Sequence, residues 1–266
     1  MAAERMNAGV GLPGWRVIAG SVPGPNHANV GLPNQDSVRQ VKLPGGLHLL
    51  AVADGAGSAR QAEIGSRFAV QAAAEAAERC FGAVPGTLAR WQSATREFAD
   101  DCLRGFDQAV SRAGGARADF STTLLAAVLG PPYVGYVCVG DGFLVLHRTP
   151  GGSALVVAPP HVRDNAGETV FLTSPGRDRD LRRNVIADTA ISGLALCTDG
   201  VIDGMLDVDR APDGAVHHVA PPEFDAYFDL FRSPAVDAGE LNRKLLSREF
   251  AASSGDDKTM LMAVRR

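Results

Sequence analysis

Continuous apolar runs and helical apolar stripes follow one another in blocks along this chain. Residues 15–22 and 47–53 are nearly continuous apolar runs, typical of buried strands, and the Gly-, Pro- and Asn-rich stretch between them predicts a loop. Two helices are predicted next, over about 62–81 and 87–112, because apolar residues recur there at three- and four-residue spacings. Thr87 is placed to cap the second helix.

The pattern changes to short strands between residues 120 and 200. Apolar runs of strand length are separated there by turn signals such as Gly130-Pro131-Pro132, which are typical of connections between antiparallel neighbours. The predicted strands are 120–129, 133–140, 143–148, 153–158, 169–173, 184–188 and 191–198.

Helices are expected again at about 222–231 and 237–250, before a last strand at 258–264. A block of strands bounded by helices argues for an α+β layered domain and against an alternating βαβ sheet. We therefore expect a single domain over residues 15–266, preceded by an N-terminal tail at 1–14.

Composition narrows the function classes without choosing one. The 266 residues are 45% hydrophobic and 21% charged, with a net charge of −4 and no polybasic block, so neither nucleic acid nor a membrane surface is an expected partner. The N-terminus has no secretory pattern and no run approaches the ~18 apolar residues of a membrane span, which makes the cytoplasm the expected location. Four scattered cysteines without a C-x-x-C pair predict buried thiols.

Three of the apolar runs end abruptly in Asp-Gly. These steps are Asp54-Gly55, Asp141-Gly142 and Asp199-Gly200, and Asp256-Asp257 stands just before the last strand. Carboxylates at strand ends can meet on one rim, where protons or hard cations must relieve their repulsion. A glycine after each Asp leaves its carbonyl open to close approach by a metal. Asp-Gly is also the commonest short-hairpin signal, so the spacing alone leaves a turn reading and a metal reading both open.

A stretch at about 159–190 carries an unusual number of arginines. Five arginines alternate there with aspartates: Arg163, Arg177, Arg179, Arg182 and Arg183. It is interpreted either as a solvated charged loop or as a flap-like loop that helps to capture an anionic substrate near the metal rim.

Six short motifs, taken in order, resemble those of the metal-dependent protein phosphatases (the PPM or type 2C family), and most closely its compact bacterial branch. The motifs are Asn34-Gln35-Asp36, Ala53-Asp54-Gly55-Ala56-Gly57-Ser58, Ser121-Thr122-Thr123-Leu124, Gly140-Asp141-Gly142, Thr198-Asp199-Gly200 and Asp256-Asp257-Lys258-Thr259. The resemblance runs from about residue 15 to 264. It implies a four-layer αββα sandwich in which helices flank two antiparallel sheets.

The resemblance also implies roles for individual residues. Asp54 would bridge two Mn²⁺ or Mg²⁺ ions, with the Gly55 carbonyl on one of them and Asp199 and Asp256 on the other. Asp141 would correspond to the ligand of a third, weaker ion. Asp36 would orient metal-bound waters, which makes Asp36, Asp54 and Asp199 the expected catalytic set.

The implied activity is that of a serine/threonine protein phosphatase. It would hydrolyse phosphomonoesters by attack of a metal-activated water, without a protein nucleophile. The implied partners are a phosphoserine or phosphothreonine protein and a cognate Ser/Thr kinase pathway. A nuclease or other two-metal hydrolase is disfavoured by the acidic balance and by the absence of a basic groove.

Departures from the family pattern concern phosphate capture. Gly31 stands where many relatives carry a phosphate-binding Arg, and Ala56 stands where some carry a His proposed as a general acid. His27, Arg39 and Arg60 are the candidates to replace the Arg. The alternative function is therefore a catalytically weak phosphatase-fold module that binds a partner or senses metal.

Overall fold

Two five-stranded antiparallel sheets form the centre of the protein. The computed structural model describes residues 14–160, 169–210 and 216–266. The first sheet contains, in spatial order, β1 (Trp15–Val22), β12 (Lys258–Arg265), β9 (Ile191–Cys197), β6 (Phe143–Arg148) and β7 (Gly152–Val157). The second contains β2 (Ser37–Lys42), β3 (His48–Ala53), β4 (Leu124–Gly130), β5 (Tyr133–Val139) and β8 (Arg182–Ala187). A separate hairpin pairs β10 (Asp207–Arg210) with β11 (Val216–Val219).

Helices cover the outer face of each sheet. In chain order they are α1 (Pro25–Val30), α2 (Ala62–Cys80), α3 (Leu88–Ala113), α4 (Ile202–Met205), α5 (Phe224–Arg232), α6 (Ala238–Leu245) and α7 (Arg248–Ser253). The long pair α2 and α3 packs on the second sheet, whereas α5, α6 and α7 pack on the first. Thr87 caps α3 as predicted, because its side chain accepts a hydrogen bond from the Arg90 N–H.

Three apolar layers separate these four layers of structure. Alternate residues of β3 face opposite ways: Leu49 and Ala51 pack under α2 and α3, while Leu50 and Val52 pack against the first sheet. Successive side chains of a strand point to opposite faces, so a strand covered on both faces is apolar at nearly every position. The continuous apolar runs of the sequence result from this burial on both faces. The predicted αββα sandwich is confirmed.

The structure corrects the sequence-based elements in four places. The stretch between β1 and β3, predicted as a loop, contains α1 and the edge strand β2, whose Arg39 and Gln40 are exposed and hide the strand pattern. Residues 169–173 form no strand; their apolar character reflects burial of Leu172. The helix predicted at 237–250 is two helices, because Ser247 caps a new one.

The fourth correction is the hairpin of β10 and β11, which the pattern did not indicate. The predicted tail at 1–14 lies almost entirely outside the described residues, as do positions 161–168 of the Arg-bearing stretch. The end of that stretch belongs to β8. Within the described ranges no helix is long and apolar enough to cross a membrane. Cys102, Cys138 and Cys197 are buried and Cys80 is half-buried, all as free thiols, as predicted.

Gly65 tests the packing of α2 on the rest of the domain. A Cβ there would lie 2.8 Å from the Phe120 carbonyl carbon, in the turn that precedes β4. Gly→Ala inside a helix normally stabilises by about 1 kcal/mol. We expect Gly65→Ala instead to lower the free energy of unfolding by about 1–3 kcal/mol, because rigid backbone must move. Urea denaturation in the presence of a metal chelator measures this free energy.

Gly86→Ala is the matched control for that substitution. A Cβ at Gly86 would meet nothing within 4 Å, so this change should be neutral or slightly stabilising. A Gly65→Ala protein as stable as wild type would show that α2 can shift away from the turn, and the packing argument would be wrong.

Candidate metal centre

Three aspartates that follow strands meet at one rim of the sandwich. Asp54 follows β3 and Asp141 follows β5 in the second sheet, whereas Asp199 follows β9 in the first. One carboxylate oxygen of each lies within 4.8 Å of the corresponding oxygens of the other two. The convergence predicted from the Asp-Gly steps is therefore present, and both sheets contribute to it.

Asp256 completes the acidic rim from the start of β12. Its negative charge raises the pKa of Asp54 and of Asp199, which places it within electrostatic reach of both. Its ligand atom also lies within 4.8 Å of those offered by His27 and Asp257. The predicted metal ligands thus share one electrostatic environment.

Burial and mutual repulsion make these carboxylates hard to ionise without a counter-charge. Burial, and then the charges of Asp36, Asp199, Asp256 and Asp141, raise the pKa of Asp54 well above its usual range. The same two causes raise the pKa of Asp199 to about 8. Burial raises the pKa of Asp36 to about 7 even though Thr198 donates a hydrogen bond to it. Such a group of acids favours either bound protons or bound cations.

Unused oxygen atoms show that this group of acids fits a cation. Oδ1 of Asp36, of Asp141 and of Asp199 is buried and, among the described residues, has no hydrogen-bond partner. Buried polar atoms in native proteins normally have partners, so these three oxygens are suited to be ligands of a cation. The converging ligands are all carboxylate oxygens, the type preferred by Mn²⁺ and Mg²⁺.

The backbone at Asp54 and Gly55 is held rigidly by threonines. The Asp54 N–H donates to Thr123 Oγ1 at 3.0 Å, and Thr122 Oγ1 donates to the Asp54 carbonyl at 2.7 Å. Gly55 bridges to Thr122, and a Cβ at Gly55 would lie 2.7 Å from the Ala62 carbonyl oxygen. Only glycine fits in this position, where its carbonyl was predicted to bind a metal.

Asp36 lies just before β2 and connects the two sheets at the rim. Thr198 Oγ1 donates to its Oδ2 at 2.8 Å, and its own N–H donates to Asn34 Oδ1 at 2.9 Å. Because Thr198 directly precedes Asp199, this bond holds Asp36 beside the acidic rim while its Oδ1 remains free of protein partners in the described chain.

Asp257, by contrast, is occupied by structural bonds. Its Oδ1 accepts from the Gly24 N–H at 2.8 Å, and its Oδ2 accepts from the Gln35 N–H at 2.6 Å. His27 Nδ1 also lies 2.9 Å from that Oδ2. Asp257 therefore fastens the segment carrying His27 and Gln35 to the start of β12, which leaves Asp256 as the better-placed ligand of the pair.

Two basic residues also lie at the rim: Lys258 was not assigned to the site from the sequence, and Arg182 was considered only as part of the arginine-bearing stretch at 159–190. Lys258 is fully buried, and its Nζ donates to the Ser254 and Asp256 carbonyls at 2.7 and 2.8 Å. Burial lowers the pKa of this lysine. Arg182 donates to the Gly140 carbonyl, next to Asp141. For Lys258, the only signal in the sequence is its position directly after Asp256-Asp257. Its contacts become evident only in the fold.

The three candidate phosphate-binding residues lie in different surroundings. His27 is near Asp256, as its shared ligand group shows. Arg60 is exposed in the turn between Gly55 and α2, while Arg39 lies on the face of β2 that Ser37 uses to contact α2. Neither arginine forms a salt bridge with any described residue. Gly31 is an exposed left-handed residue (φ 71°) that ends α1.

The arginines of the 159–190 stretch mostly have partners within the protein. Arg177 pairs with Asp107 through two nitrogens, Arg183 pairs with Asp100 at 2.8 Å, and Arg182 donates to backbone carbonyls. Arg163 lies outside the described residues. Substrate capture by the whole stretch stays a prediction, but these contacts give most of its arginines a structural role.

Comparisons with known proteins agree with this geometry. The sequence profile of the family described as protein phosphatase 2C matches residues 23–245. No curated protein sequence matches significantly. A serine/threonine phosphatase of S. agalactiae is 15% identical with a TM-score of 0.65, over 95% of this chain and 100% of that one.

Two further solved structures are similar over nearly their whole length. Serine/threonine phosphatase Stp1 from Staphylococcus aureus is 15% identical, with a TM-score of 0.58 over 100% of both chains. The catalytic domain of the phosphatase PstP, solved with two manganese ions, is 21% identical, with a TM-score of 0.56 over 94% of this chain and 97% of that one. These likenesses show the fold, and the profile, which covers most of the sequence, shows that this chain belongs to the protein phosphatase 2C family of metal-dependent serine/threonine phosphatases.

Proposed function

We propose that this chain hydrolyses phosphoserine and phosphothreonine esters of proteins at the rim formed by Asp54, Asp141 and Asp199, with Mn²⁺ or Mg²⁺ as cofactor. The observation that carries the proposal is this trio of converging carboxylates, whose unpartnered buried oxygens fit cation ligands. The manganese pair in the similar PstP domain supports the choice of ion.

Each acidic residue has a part in holding the ions. Asp54 with the Gly55 carbonyl, Asp199 and Asp256 would hold the main pair, and Asp141 a third ion. When bound, the ions supply positive charge that activates water and neutralises phosphate oxygens. The threonine bonds at Asp54 fix its backbone before any ion arrives, so less reorganisation accompanies binding.

Asp36 is placed to handle a proton. Its Oδ2 is bonded to Thr198, while its Oδ1 is available for a water at the rim. A pKa of about 7 in the metal-free protein would fall as cations bind nearby, and the ionised Oδ1 would then orient a water through a hydrogen bond.

Phosphate capture is assigned to His27 and Arg60, with Arg39 the least favourably directed of the three candidates. His27 is held beside Asp256 by its contact with Asp257. The phosphoprotein substrate implies a cognate Ser/Thr kinase pathway, and the cytoplasmic location expected from the sequence completes this proposal.

Replacing Asp54 tests the assignment. Asp54→Asn should reduce manganese-dependent hydrolysis of a chromogenic phosphate ester by at least about 1000-fold, because one ligand is shared between ions. The metal-free variant should melt no lower than wild type, since asparagine is uncharged like the protonated Asp54 that burial and the neighbouring carboxylates favour. Assays across a Mn²⁺ titration, with thermal melts in chelator, measure both.

Asp203→Asn is the matched control, because Asp203 is an exposed Asp-Gly residue outside the rim. It should keep full activity. Turnover by Asp54→Asn at the wild-type rate would contradict the assignment, and a wild-type protein without Mn²⁺-stimulated turnover would instead favour the weak, partner-binding alternative.

The raised pKa values predict an unusual pH dependence of stability. Asp199 (pKa about 8) and Asp36 (about 7) hold protons in the folded, metal-free protein that the unfolded chain has already released near pH 4. The folded state binds more protons between these values, so stability falls as pH rises from about 4 and levels off above about 8, by at most about 1.4 kcal/mol per pH unit for each extra proton.

Thermal melts between pH 5 and 8.5 measure this effect. Metal-free wild type should lose stability relative to Asp199→Asn as pH rises, and saturating Mn²⁺ should abolish that loss. Parallel curves for the two metal-free proteins would show that Asp199 is already ionised without metal.

A further inference from the structure

A groove lies between α3 and the outer edge of β8, away from the acidic rim. Its volume is about 260 Å³. The residues that line it are Gln92, Thr95, Arg96, Arg183, Asn184 and Val185. Val185 packs against the core under the helices and forms an apolar floor, whereas the other five side chains are polar. None of the lining residues is acidic.

Thr95 lies in the wall of this groove and carries a buried polar atom. Its side chain is 2% exposed, and its Oγ1 has no hydrogen-bond partner among the described residues. Space for the hydroxyl exists because residue 135 of β5 is glycine: a Cβ at Gly135 would collide with Thr95 Oγ1. The hydroxyl is therefore buried against β5, and Thr95 contributes to the shape of the groove wall but offers no exposed donor.

The charged residues of the groove indicate which kind of ligand it would bind. Arg96 is exposed and forms no salt bridge with the described residues. Arg183 donates one Nη1 bond to Asp100 of α3, and its other guanidinium nitrogens have no partner in the described chain and can serve a second acceptor. In a chain of net charge −4, two guanidinium groups beside amide donors favour a carboxylate ligand.

β8 gives the occupant its shape and its connection to the metal centre. It is the last strand of its sheet, with β5 as its one neighbour in the described chain. Arg182 at the start of β8 donates to Gly140, beside Asp141, so this end of the strand lies at the acidic rim. The backbone of Asn184 and Val185 lies roughly 7–10 Å from that of Arg182 along β8, which is the span of two or three extended residues.

We propose that the groove between α3 and β8 docks an extended, acidic segment of the phosphoprotein substrate, next to its phosphorylated residue. This inference rests on the proposed function. The segment lies along the outer edge of β8, where strand addition can supply backbone bonds and replaces the 2.8 Å bond that the Val185 N–H donates to Asn184 Oδ1. Its carboxylates pair with Arg96 and Arg183.

Matched phosphoserine peptides test the docking. The peptides differ only in carrying two glutamates or two glutamines, placed two to four residues to either side of the phosphoserine. Wild type with Mn²⁺ should favour the glutamate peptide on one side about tenfold in kcat/KM, and added salt should reduce the preference. The double variant Arg96→Gln/Arg183→Gln should bring the ratio close to one.

Two control variants separate the groove from general charge effects. Arg90→Gln removes an exposed α3 arginine that does not line the groove, and Asp100→Asn breaks the ion pair with Arg183 but keeps the guanidinium. Both should retain the preference. Thr95→Val should retain it as well, without lowering the melting temperature, because the hydroxyl that it removes is buried and has no partner in the described chain.

Direct binding keeps the proposal distinct from the proposed function. Fluorescence anisotropy with the unphosphorylated glutamate peptide and metal-free protein needs no turnover. If wild type hydrolyses no phosphate ester yet binds this peptide through the two arginines, the proposed function fails and the docking groove stands.

Three results would contradict the proposal that the groove docks the substrate. They are equal kcat/KM for both peptides in wild type, an unchanged ratio in the double variant, and a dimer, detected by light scattering, that the peptide does not dissociate. The last result would assign the edge of β8 to a second copy of the chain.

Discussion

Repulsion among buried carboxylates is the constraint around which this protein is built. Asp54, Asp141 and Asp199 present oxygens within 4.8 Å of one another at the end of the sandwich, and Asp36 and Asp256 add charge nearby. No single strand can bring such groups together, and a flexible chain would separate them. Two sheets packed face to face hold them, because each strand end is fixed by a ladder of backbone bonds and by apolar side chains on both faces.

The scaffold resists that repulsion with neutral groups more than with cations. Threonines fix the backbone at the rim: Thr122 and Thr123 hold Asp54, and Thr198 holds Asp36. The nearby basic groups, Lys258 and Arg182, donate to backbone carbonyls. The described basic side chains thus leave most of the negative charge of the rim uncompensated, so a cation bound there would stabilise the folded state.

A structural feature of this protein could be predicted from the sequence when its physical cause lies within a few neighbouring residues. Strand burial on both faces, the Thr87 cap and the Asp-Gly strand ends act within a few residues, and the apolar pattern and motifs reported them correctly. The edge strand β2 was missed, because an edge exposes polar side chains. The bonds of Asp257 to Gly24 and Gln35 join positions more than 200 residues apart, so no spacing rule could reveal them.

The same distinction would let the proposed catalysis at the rim and the proposed substrate docking at the groove vary independently. The rim residues are tied to one another, so a change at one alters the charge felt by all. The groove at β8 shares only the strand with that rim: Arg182 is fixed to Gly140, whereas Arg183 and Val185 face α3. An unpaired buried hydroxyl such as that of Thr95 costs about 1–3 kcal/mol. A valine of the same shape would remove that cost without adding volume, so packing in the described chain does not account for the threonine.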